Sequence, residues 1–137
     1  MRFMIIRKAD AKTEAGELPS EELLSAMLAY NEELMKAGVM LDGDGLHPSS
    51  RGARIKFSGG VPTVTDGPFA ETKELIAGYT VIQVNSKEEA IEWARRWPAL
   101  DGDGEVELEL RQYFELEDFG PSEAIERMRE HAAAEQK

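Results

Sequence analysis

The sequence contains no cysteine, and only two of its 137 residues are histidine. Without thiols, a disulfide framework, a thiolate metal site and a cysteine nucleophile are all excluded. Long apolar runs are missing as well, because the apolar residues of the first strand meet a charge again at Arg7. That stretch is too short for a signal peptide or a membrane span. We therefore expect a cytoplasmic protein.

Positive charge is scarce in this chain. The chain has 16 Lys and Arg residues and 27 Asp and Glu residues, which gives a formal net charge of -11. Such a surface repels phosphate backbones and anionic lipids, so we expect neither a nucleic-acid nor a membrane partner. A local basic patch can still hold a small anion, because net charge describes only the long-range field. With 42% hydrophobic residues, 137 positions suffice for one core.

Hydrophobic periodicity predicts strands separated by helices. The predicted strands are residues 3–6, 79–84 and 105–111, and residues 53–57 and 61–65 form a predicted hairpin. The predicted helices are residues 20–37, 86–97 and 121–136. Ser20 and Ser86 are the expected N-caps, and the Ser86 segment has the spacing of a capping box with Glu89. Trp93 and Trp97 fall on the apolar stripe of the second helix and are expected in the core.

The remaining segments are rich in turn-forming residues. Residues 10–16 are predicted as a loop. The tetrapeptide Asp-Gly-Asp-Gly occurs at residues 42–45 and again at 101–104, and we interpret both copies as turns. The paired aspartates suggest calcium, but neither copy continues into an EF-hand loop.

The order of elements contains the split βαβ pattern of a ferredoxin-like α+β sheet. Two helices cover one face of that sheet. The strands at residues 3–6 and 79–84 are apolar on both sides, so the second face also needs cover. Self-association through the sheet is the expected solution, and the protein itself is therefore its expected partner.

Residues 65–74 read Thr-Asp-Gly-Pro-Phe-Ala-Glu-Thr-Lys-Glu and precede Gly78-Tyr79 and a strand. This segment resembles the motif of the DGPF proteins in the YCII-related family. Further matches that add to the resemblance are residues 1–8, 31–34, 37–39, 45–48 and 88–94. It extends over residues 1–119, and leaves residues 120–137 as a C-terminal helical extension. The resemblance implies a dimeric α/β barrel, in which the sheets of two ferredoxin-like subunits face each other.

One departure from that family limits what the resemblance implies about chemistry. Simpler YCII-type proteins have a suspected acid/base pair, a His on the first helix and an Asp before a Pro at the end of the second. Here the first helix offers Tyr30 and Asn31, and the second ends in Trp97-Pro98. That pair is missing, so any chemistry must use other residues.

Asp66 and His47 are the candidate acid/base groups. Turn chemistry explains each residue of the segment 66–69, with Asp66 bonding backbone amides and Phe69 filling the core. The competing hypothesis places Asp66 in a cavity, where burial would raise its pKa and make it a usable base. His47 is the best-placed proton carrier. The ligand-binding candidates are Phe69, Glu71, Lys73 and Tyr79.

Other reaction classes have no support in the residue pattern. The sequence lacks an HExxH motif, a phosphate loop and a dinucleotide fingerprint, so we expect no metal and no cofactor. Glu105, Glu107 and Glu109 alternate along a predicted strand, where charges prevent edge-to-edge aggregation.

Two functions remain open at this point. The favoured one is a non-catalytic dimeric module that binds a small molecule or regulates another process. The alternative is a small acid/base enzyme that acts on a small organic metabolite between helices and sheet. The sequence does not identify the ligand or the reaction.

Overall fold

The structure, a computed structural model, describes residues 1–135. Residue 136, the last of the predicted tail helix, lies outside the described residues. The strands are β1 Arg2–Lys8, β2 Met40–Gly45, β3 Ala53–Ser58, β4 Val61–Asp66, β5 Ile76–Gln83 and β6 Leu108–Gln112. The helices are α1 Ala11–Glu14, α2 Glu21–Lys36, α3 Lys87–Arg95 and α4 Glu123–Glu135. The 3-10 turns are Ser49–Arg51, Thr72–Glu74, Asp101–Gly104 and Leu116–Phe119.

Four strands form one antiparallel sheet in the order β2-β5-β1-β6. Together with α2 and α3, these strands follow the β-α-β-β-α-β arrangement, so the expected α+β class is confirmed. β3 and β4 pair only with each other and form a separate two-stranded ribbon. This ribbon is inserted in the chain between β2 and β5, and the motif at residues 66–69 lies beside the turn Ser49–Arg51.

The core lies between the sheet and helices α2 and α3. Phe3 and Ile5 of β1 point toward the helices, and Ile82 lies opposite Phe3 on β5. Tyr30 and Leu34 of α2 are buried against them. This alternation of buried and half-buried residues along β1 is the period-2 pattern that predicted the strand.

The two helices that cover the sheet, α2 and α3, begin at the predicted N-caps. The Ser20 hydroxyl accepts from the amide of Leu23, and the Ser86 hydroxyl accepts from the amide of Glu89, each at 3.1 Å. The return bond of the capping box differs from the prediction, because the Glu89 carboxylate accepts from Asn85 at 2.9 Å. Trp93 and Trp97 pack against the core as expected, and the Trp97 ring meets Tyr30 edge-on.

The prediction of a loop at residues 10–16 is wrong, because residues 11–14 form α1. The Asp10 side chain accepts from the Thr13 amide at 2.8 Å, and the Thr13 hydroxyl accepts from the Asp10 amide at 2.8 Å. These reciprocal bonds satisfy two orphan amides of the helix start. Thr13 stands at the position where a capping box usually has Glu or Gln, so the pattern was not recognised.

The two Asp-Gly-Asp-Gly copies adopt different structures. Residues 42–45 belong to edge strand β2, with Asp44 opposite Tyr79, so the prediction of a turn there is wrong. Pairing with β5 overrides the turn preference of the glycines. Residues 101–104 do turn, and Gly102 and Asp103 have φ of 60° and 54°. The chain does not enter the last strand directly after this turn, and β6 begins at Leu108 instead of at the predicted residue 105.

The tail helix α4 contributes one buried side chain, Ile125, while Met128 of the predicted stripe is 53% exposed. Arg129 reaches back to Glu117 in the preceding turn at 3.3 Å. Over residues 1–135, every helix falls short of the length and apolarity needed to cross a bilayer.

Candidate functional site

The segment 66–69 forms the base of the ribbon and is fixed against the turn Ser49–Arg51. The Ser49 hydroxyl accepts from the amide of Phe69 at 3.0 Å, and the amide of Gly67 donates to the carbonyl of Gly52 at 3.0 Å. A Cβ at residue 67 would stand 1.8 Å from the Ser49 carbonyl oxygen. Only glycine permits this close approach, which is one reason for its place in the motif.

Helix α1 holds this junction from the other side. The Glu14 carboxylate accepts from the Ser49 amide at 2.9 Å and from the Ser49 hydroxyl at 2.5 Å. Because the Ser49 hydroxyl donates its proton to Glu14, the orientation of this hydroxyl is fixed. Its oxygen lone pairs can then accept from the amide of Phe69. The three residues therefore form a chain of hydrogen bonds from α1 to the motif.

Phe69 does not fill the core, which corrects the sequence-based expectation. Its ring is half-buried and does not belong to the core cluster. The guanidinium carbon of Arg54 lies 3.9 Å from the ring centroid, within the range of a cation–π interaction. Since Arg54 belongs to β3, this stacking ties the motif to the ribbon.

The two candidate proton carriers do not meet. Asp66 ends β4, is exposed, and makes no side-chain hydrogen bond within residues 1–135. His47 is also exposed, and its Nε2 lies 3.3 Å from a guanidinium nitrogen of Arg51. Within the described residues, Asp66 is therefore neither enclosed in a cavity nor bonded to backbone amides as the turn hypothesis expected.

The ligand-binding candidates fall into two places. Glu71 and Lys73 are exposed near the turn Thr72–Glu74, beside the motif. Tyr79 instead lies in the middle of the sheet, opposite Ile6 on one side and Asp44 on the other. The negative charge of Asp42, with smaller contributions from desolvation and from Asp44, raises the pKa of Tyr79. These acidic neighbours therefore make the phenol a weaker acid, and its hydroxyl can donate a hydrogen bond at neutral pH as that of an ordinary tyrosine does.

Tyr79 belongs to the sheet face that points away from α2 and α3, which we call the open face. Strand register places Met4 opposite Val81 and Ile6 opposite Tyr79 on this face. Asp42 and Asp44 continue it on edge strand β2. The open face is thus apolar at its centre and acidic along one edge.

Sequence reasoning missed a buried charge cluster, which lies just beyond the C-terminal end of α3. Arg7 binds Asp101 through two hydrogen bonds of 2.8 and 3.1 Å, and a third bond of 3.1 Å reaches Asp10. The Trp97 indole also donates to Asp101 at 2.9 Å. Burial alone would raise the pKa of Asp101, but the bonds from Arg7 and Trp97 outweigh it and lower that pKa.

A signal for this cluster was present in the sequence. Arg7 follows Phe3 and Ile5 at spacing two, which places it on the covered face of β1. A charge on a covered face requires an opposite charge nearby. The partner was not identifiable, because Asp101 lies 94 positions away in the sequence.

Two shallow grooves among the described residues 1–135 contain none of the candidate residues. One, of about 350 Å³, lies between α3 and β6 and is lined by Ile91, Ala94, Arg95, Val106, Leu108 and Leu110. The other, of about 270 Å³, is lined by Gln112, Tyr113, Phe114 and Asp118. Within the part of the chain that the structure describes, no group of three acidic or histidine side chains is placed to hold a metal ion.

Residues 1–112 match the YCII-related domain. The chain belongs to the YCII-related family. An uncharacterised protein of Rhizobium meliloti (strain 1021) is 35% identical over 75 residues, which are 55% of this chain and 60% of that protein. The similarity therefore spans less than two thirds of the length of this curated relative.

Among solved structures, this YCII-related chain is similar to 5-chloro-2-hydroxyhydroquinone dehydrochlorinase from Burkholderia phenoliruptrix AC1100, in complex with 2,5-dihydroxybenzoquinone. The two chains are 16% identical. The superposition covers 83% of this chain and 94% of the dehydrochlorinase, with a TM-score of 0.47.

Proposed function

We propose that the protein is a cytoplasmic homodimer of the DGPF-motif subgroup, and that it binds a small molecule in a non-catalytic or regulatory role. The observation that carries this proposal is the open face of the sheet. Met4 and Ile6 are half-buried there and Val81 is buried, although the main core cluster lies on the other side of the sheet. A second copy that faces this surface would cover it and would produce the dimeric α/β barrel.

The spread of the candidate groups supports a non-catalytic role. General acid/base catalysis needs its groups within hydrogen-bond reach of one reacting atom. His47 and Asp66 are both exposed. His47 lies beside Arg51, Asp66 lies at the end of β4, and Tyr79 lies on the open face of the sheet. A binding module does not need such convergence.

Tyr79 favours one alternative, a small acid/base enzyme. The barrel of the proposed dimer would enclose the Tyr79 hydroxyl near Asp42 and Asp44 of the neighbouring strand. In that enzyme Tyr79 would polarise or protonate a small organic substrate, and Lys73 is a further candidate donor.

A thermal-shift screen against a metabolite library tests the function, because a ligand that binds only the native state raises the melting temperature with its concentration. Each stabilising compound is then incubated with the protein and followed by NMR. A compound that is bound and recovered unchanged supports the module. Turnover that Tyr79→Phe abolishes, while the Tyr79→Phe melt is unchanged, would establish the enzyme instead.

The homodimer is tested separately by sedimentation of the parent and of Ile6→Lys, a charge on the open face. We expect the parent to sediment as a dimer at micromolar concentration and Ile6→Lys to weaken that dimer at least about 100-fold. Leu18→Lys is the matched control, since Leu18 is 89% exposed and lies outside the sheet. A parent that is monomeric and folded would refute the homodimer.

A further inference from the structure

The ribbon formed by β3 and β4 has one basic face in a strongly acidic protein. Side chains alternate along each strand, so Arg54 and Lys56 of β3 point to the same side. The register places Thr65 opposite Arg54 and Thr63 opposite Lys56. These four residues form what we call the basic ribbon face. Each of the four is exposed, and each side chain carries a hydrogen-bond donor.

The cations of this face are not neutralised by acidic side chains of residues 1–135. Residues 45–65 include none of the 27 acidic residues of the chain. Asp66 follows them, but it is paired with Ala53, so alternation turns its carboxylate toward the opposite side of the ribbon. Among the described residues, Arg54 and Lys56 form neither an ion pair nor a side-chain hydrogen bond. Six other arginines do pair with acidic side chains, namely Arg2, Arg7, Arg95, Arg96, Arg111 and Arg129.

Arg54 is held in place by the motif at residues 66–69. Its guanidinium carbon lies 3.9 Å from the centroid of the Phe69 ring. The amide of Phe69 donates to the Ser49 hydroxyl, which in turn donates to Glu14. The ring contacts a guanidinium without accepting its N–H groups in conventional hydrogen bonds, so the fork of donors stays available for an oxyanion. The motif therefore preorganises an arginine for binding, which lowers the conformational entropy lost with a ligand.

The donors of the basic ribbon face indicate the chemistry of the ligand. An arginine fork matches two oxygens of a carboxylate or of a phosphate. A phosphate monoester has three terminal oxygens and close to two negative charges, so it can also accept from Lys56 and from a threonine hydroxyl. Arg54 and Lys56 are two positions apart on one strand, so their Cα atoms are about 7 Å apart and both side chains can reach one tetrahedral anion.

The charge of the other residues limits the size of that ligand. Residues 45–65 contain three cations, so the rest of the chain carries a formal charge of -14. A nucleic acid or an anionic membrane extends over this acidic surface and is repelled by it. A single phosphate group lies within contact distance of the basic ribbon face, whereas exposed charges beyond a Debye length of about 8 Å are largely screened. The face is therefore suited to a small molecule.

We propose that the basic ribbon face binds the phosphate group of a small phosphorylated molecule, with Arg54 as its main contact. This inference rests on the proposed function, because it names the chemical class of the small molecule and the place where it binds. The four contact residues belong to one chain, so the site does not depend on the homodimer. Phe69 is a positioning residue, because it acts through Arg54.

Inorganic phosphate is the first probe, at about pH 7.5, where it is mainly a dianion. Sodium chloride keeps the ionic strength constant, and NMR follows the Arg54 Nε–Hε resonance and the amides of β3 and β4. We expect saturable binding that Arg54→Met weakens at least about tenfold, and Arg54→Lys less, because the lysine keeps the charge and loses the fork. Arg127→Met is the matched control, since Arg127 is exposed on α4 and should change the affinity less than about twofold.

Phe69→Leu tests the positioning role, because it keeps an apolar side chain and removes the ring. We expect the ring-current shift of the Arg54 Hε proton to disappear and phosphate binding to weaken about two- to fivefold. A merely structural role of Phe69 would leave the Arg54 Hε resonance where it is in the parent. That result would overturn the positioning role.

Three outcomes would overturn the site. The first is a phosphate affinity that is unchanged in Arg54→Met, or a response at Arg54 that does not saturate. The second is an equal affinity for acetate and phosphate, which would exclude the phosphate class. The third is RNA or phosphatidylserine vesicles that shift the Arg54 resonance at lower concentration than phenyl phosphate, which would make the ligand a macromolecule or a membrane.

The thermal-shift screen separates this inference from the proposed function. Phosphorylated compounds that stabilise the parent and not Arg54→Met support both. Compounds that stabilise the parent and Arg54→Met equally would overturn the phosphate site and leave the binding role intact. Phosphate binding at Arg54 combined with a screen in which no metabolite stabilises the parent would support the site and count against the proposed function.

Discussion

The guanidinium of Arg7 binds the carboxylate of Asp101 through two hydrogen bonds of 2.8 and 3.1 Å, and both residues are only 7% exposed. The pair joins the end of β1 to the turn Asp101–Gly104, and through Trp97 it reaches the end of α3. Each charge is costly to bury without the other, so the loss of either one would leave the other uncompensated.

Replacing Asp101 with Asn tests the importance of this pair for stability. Removing one partner of a buried pair typically costs about 3–5 kcal/mol, and we expect the lower end because Asp10 still contacts Arg7. Urea unfolding measures the effect. Glu33→Gln is the control, since Glu33 pairs with Arg96 at the surface and its loss should cost less than about 1 kcal/mol. Equal costs for the two variants would contradict the importance of the Arg7–Asp101 pair.

The same pair predicts a pH dependence. The pKa of Asp101 is lowered below its ordinary value of 3.8, so its contribution to stability is fully present above that value. The contribution is lost as the pH falls through the lower, folded-state pKa. The difference in unfolding free energy between the parent and Asp101→Asn should therefore be constant near neutral pH and should narrow below about pH 4. A difference that persists unchanged down to pH 2 would show that the charge of Asp101 contributes nothing.

Gly67→Ala should disrupt the base of the ribbon. The added Cβ would stand 1.8 Å from the Ser49 carbonyl oxygen, so the backbone must shift, at a cost of at least about 2 kcal/mol. Gly52→Ala is the matched control, because its Cβ would meet the same oxygen at an ordinary 3.6 Å. Melting curves and amide exchange of β3 and β4 measure the two. A Gly67→Ala chain that melts like the parent would refute the steric account of the motif.

Phe69 and Asp66 separate the structural and the functional hypotheses for the motif. Because Phe69 is half-buried under Arg54, Phe69→Ala should cost about 1–2 kcal/mol, less than removal of a core aromatic. Asp66→Asn should change stability by less than about 0.5 kcal/mol, since the side chain is exposed. Two melts and a binding assay with a compound from the thermal-shift screen decide between the hypotheses. Loss of binding in Asp66→Asn with an unchanged melt would establish Asp66 as a ligand contact.

A chain truncated after Phe119 should remain folded. The truncation removes α4, whose one buried apolar side chain is Ile125, and the surface pair between Arg129 and Glu117. We expect a loss of about 1–3 kcal/mol with a cooperative melt retained, as for the burial of one aliphatic side chain. An insoluble product, or the loss of the cooperative transition, would make α4 part of the domain or of an interface.

Local pattern predicted most of the sheet and the two helices that cover it, α2 and α3, because these elements follow a short sequence period and the helices begin at a local cap. Ser20 and Ser86 cap the helices as expected, and the hairpin at β3 and β4 lies where alternation and the Ser58-Gly59-Gly60 turn placed it. Each of these signals involves residues close together in the sequence, so tertiary contacts did not need to be known.

Tertiary structure alone decided the rest, for reasons of long-range pairing. The copies of Asp-Gly-Asp-Gly at residues 42–45 and 101–104 are identical in sequence, yet only the first pairs with β5 and becomes a strand. The spacing of Arg7 on β1 indicates that it needs an opposite charge nearby. Only the tertiary structure shows that this charge is Asp101. Phe69 is an aromatic residue of the kind that usually fills a core, so the sequence predicted burial. Its position beside Arg54 depends on the close approach of Gly67 to Ser49, which only the fold shows. The sequence can therefore indicate that a buried polar group needs a hydrogen-bond partner. When that partner lies tens of positions away in the chain, only the tertiary structure identifies it.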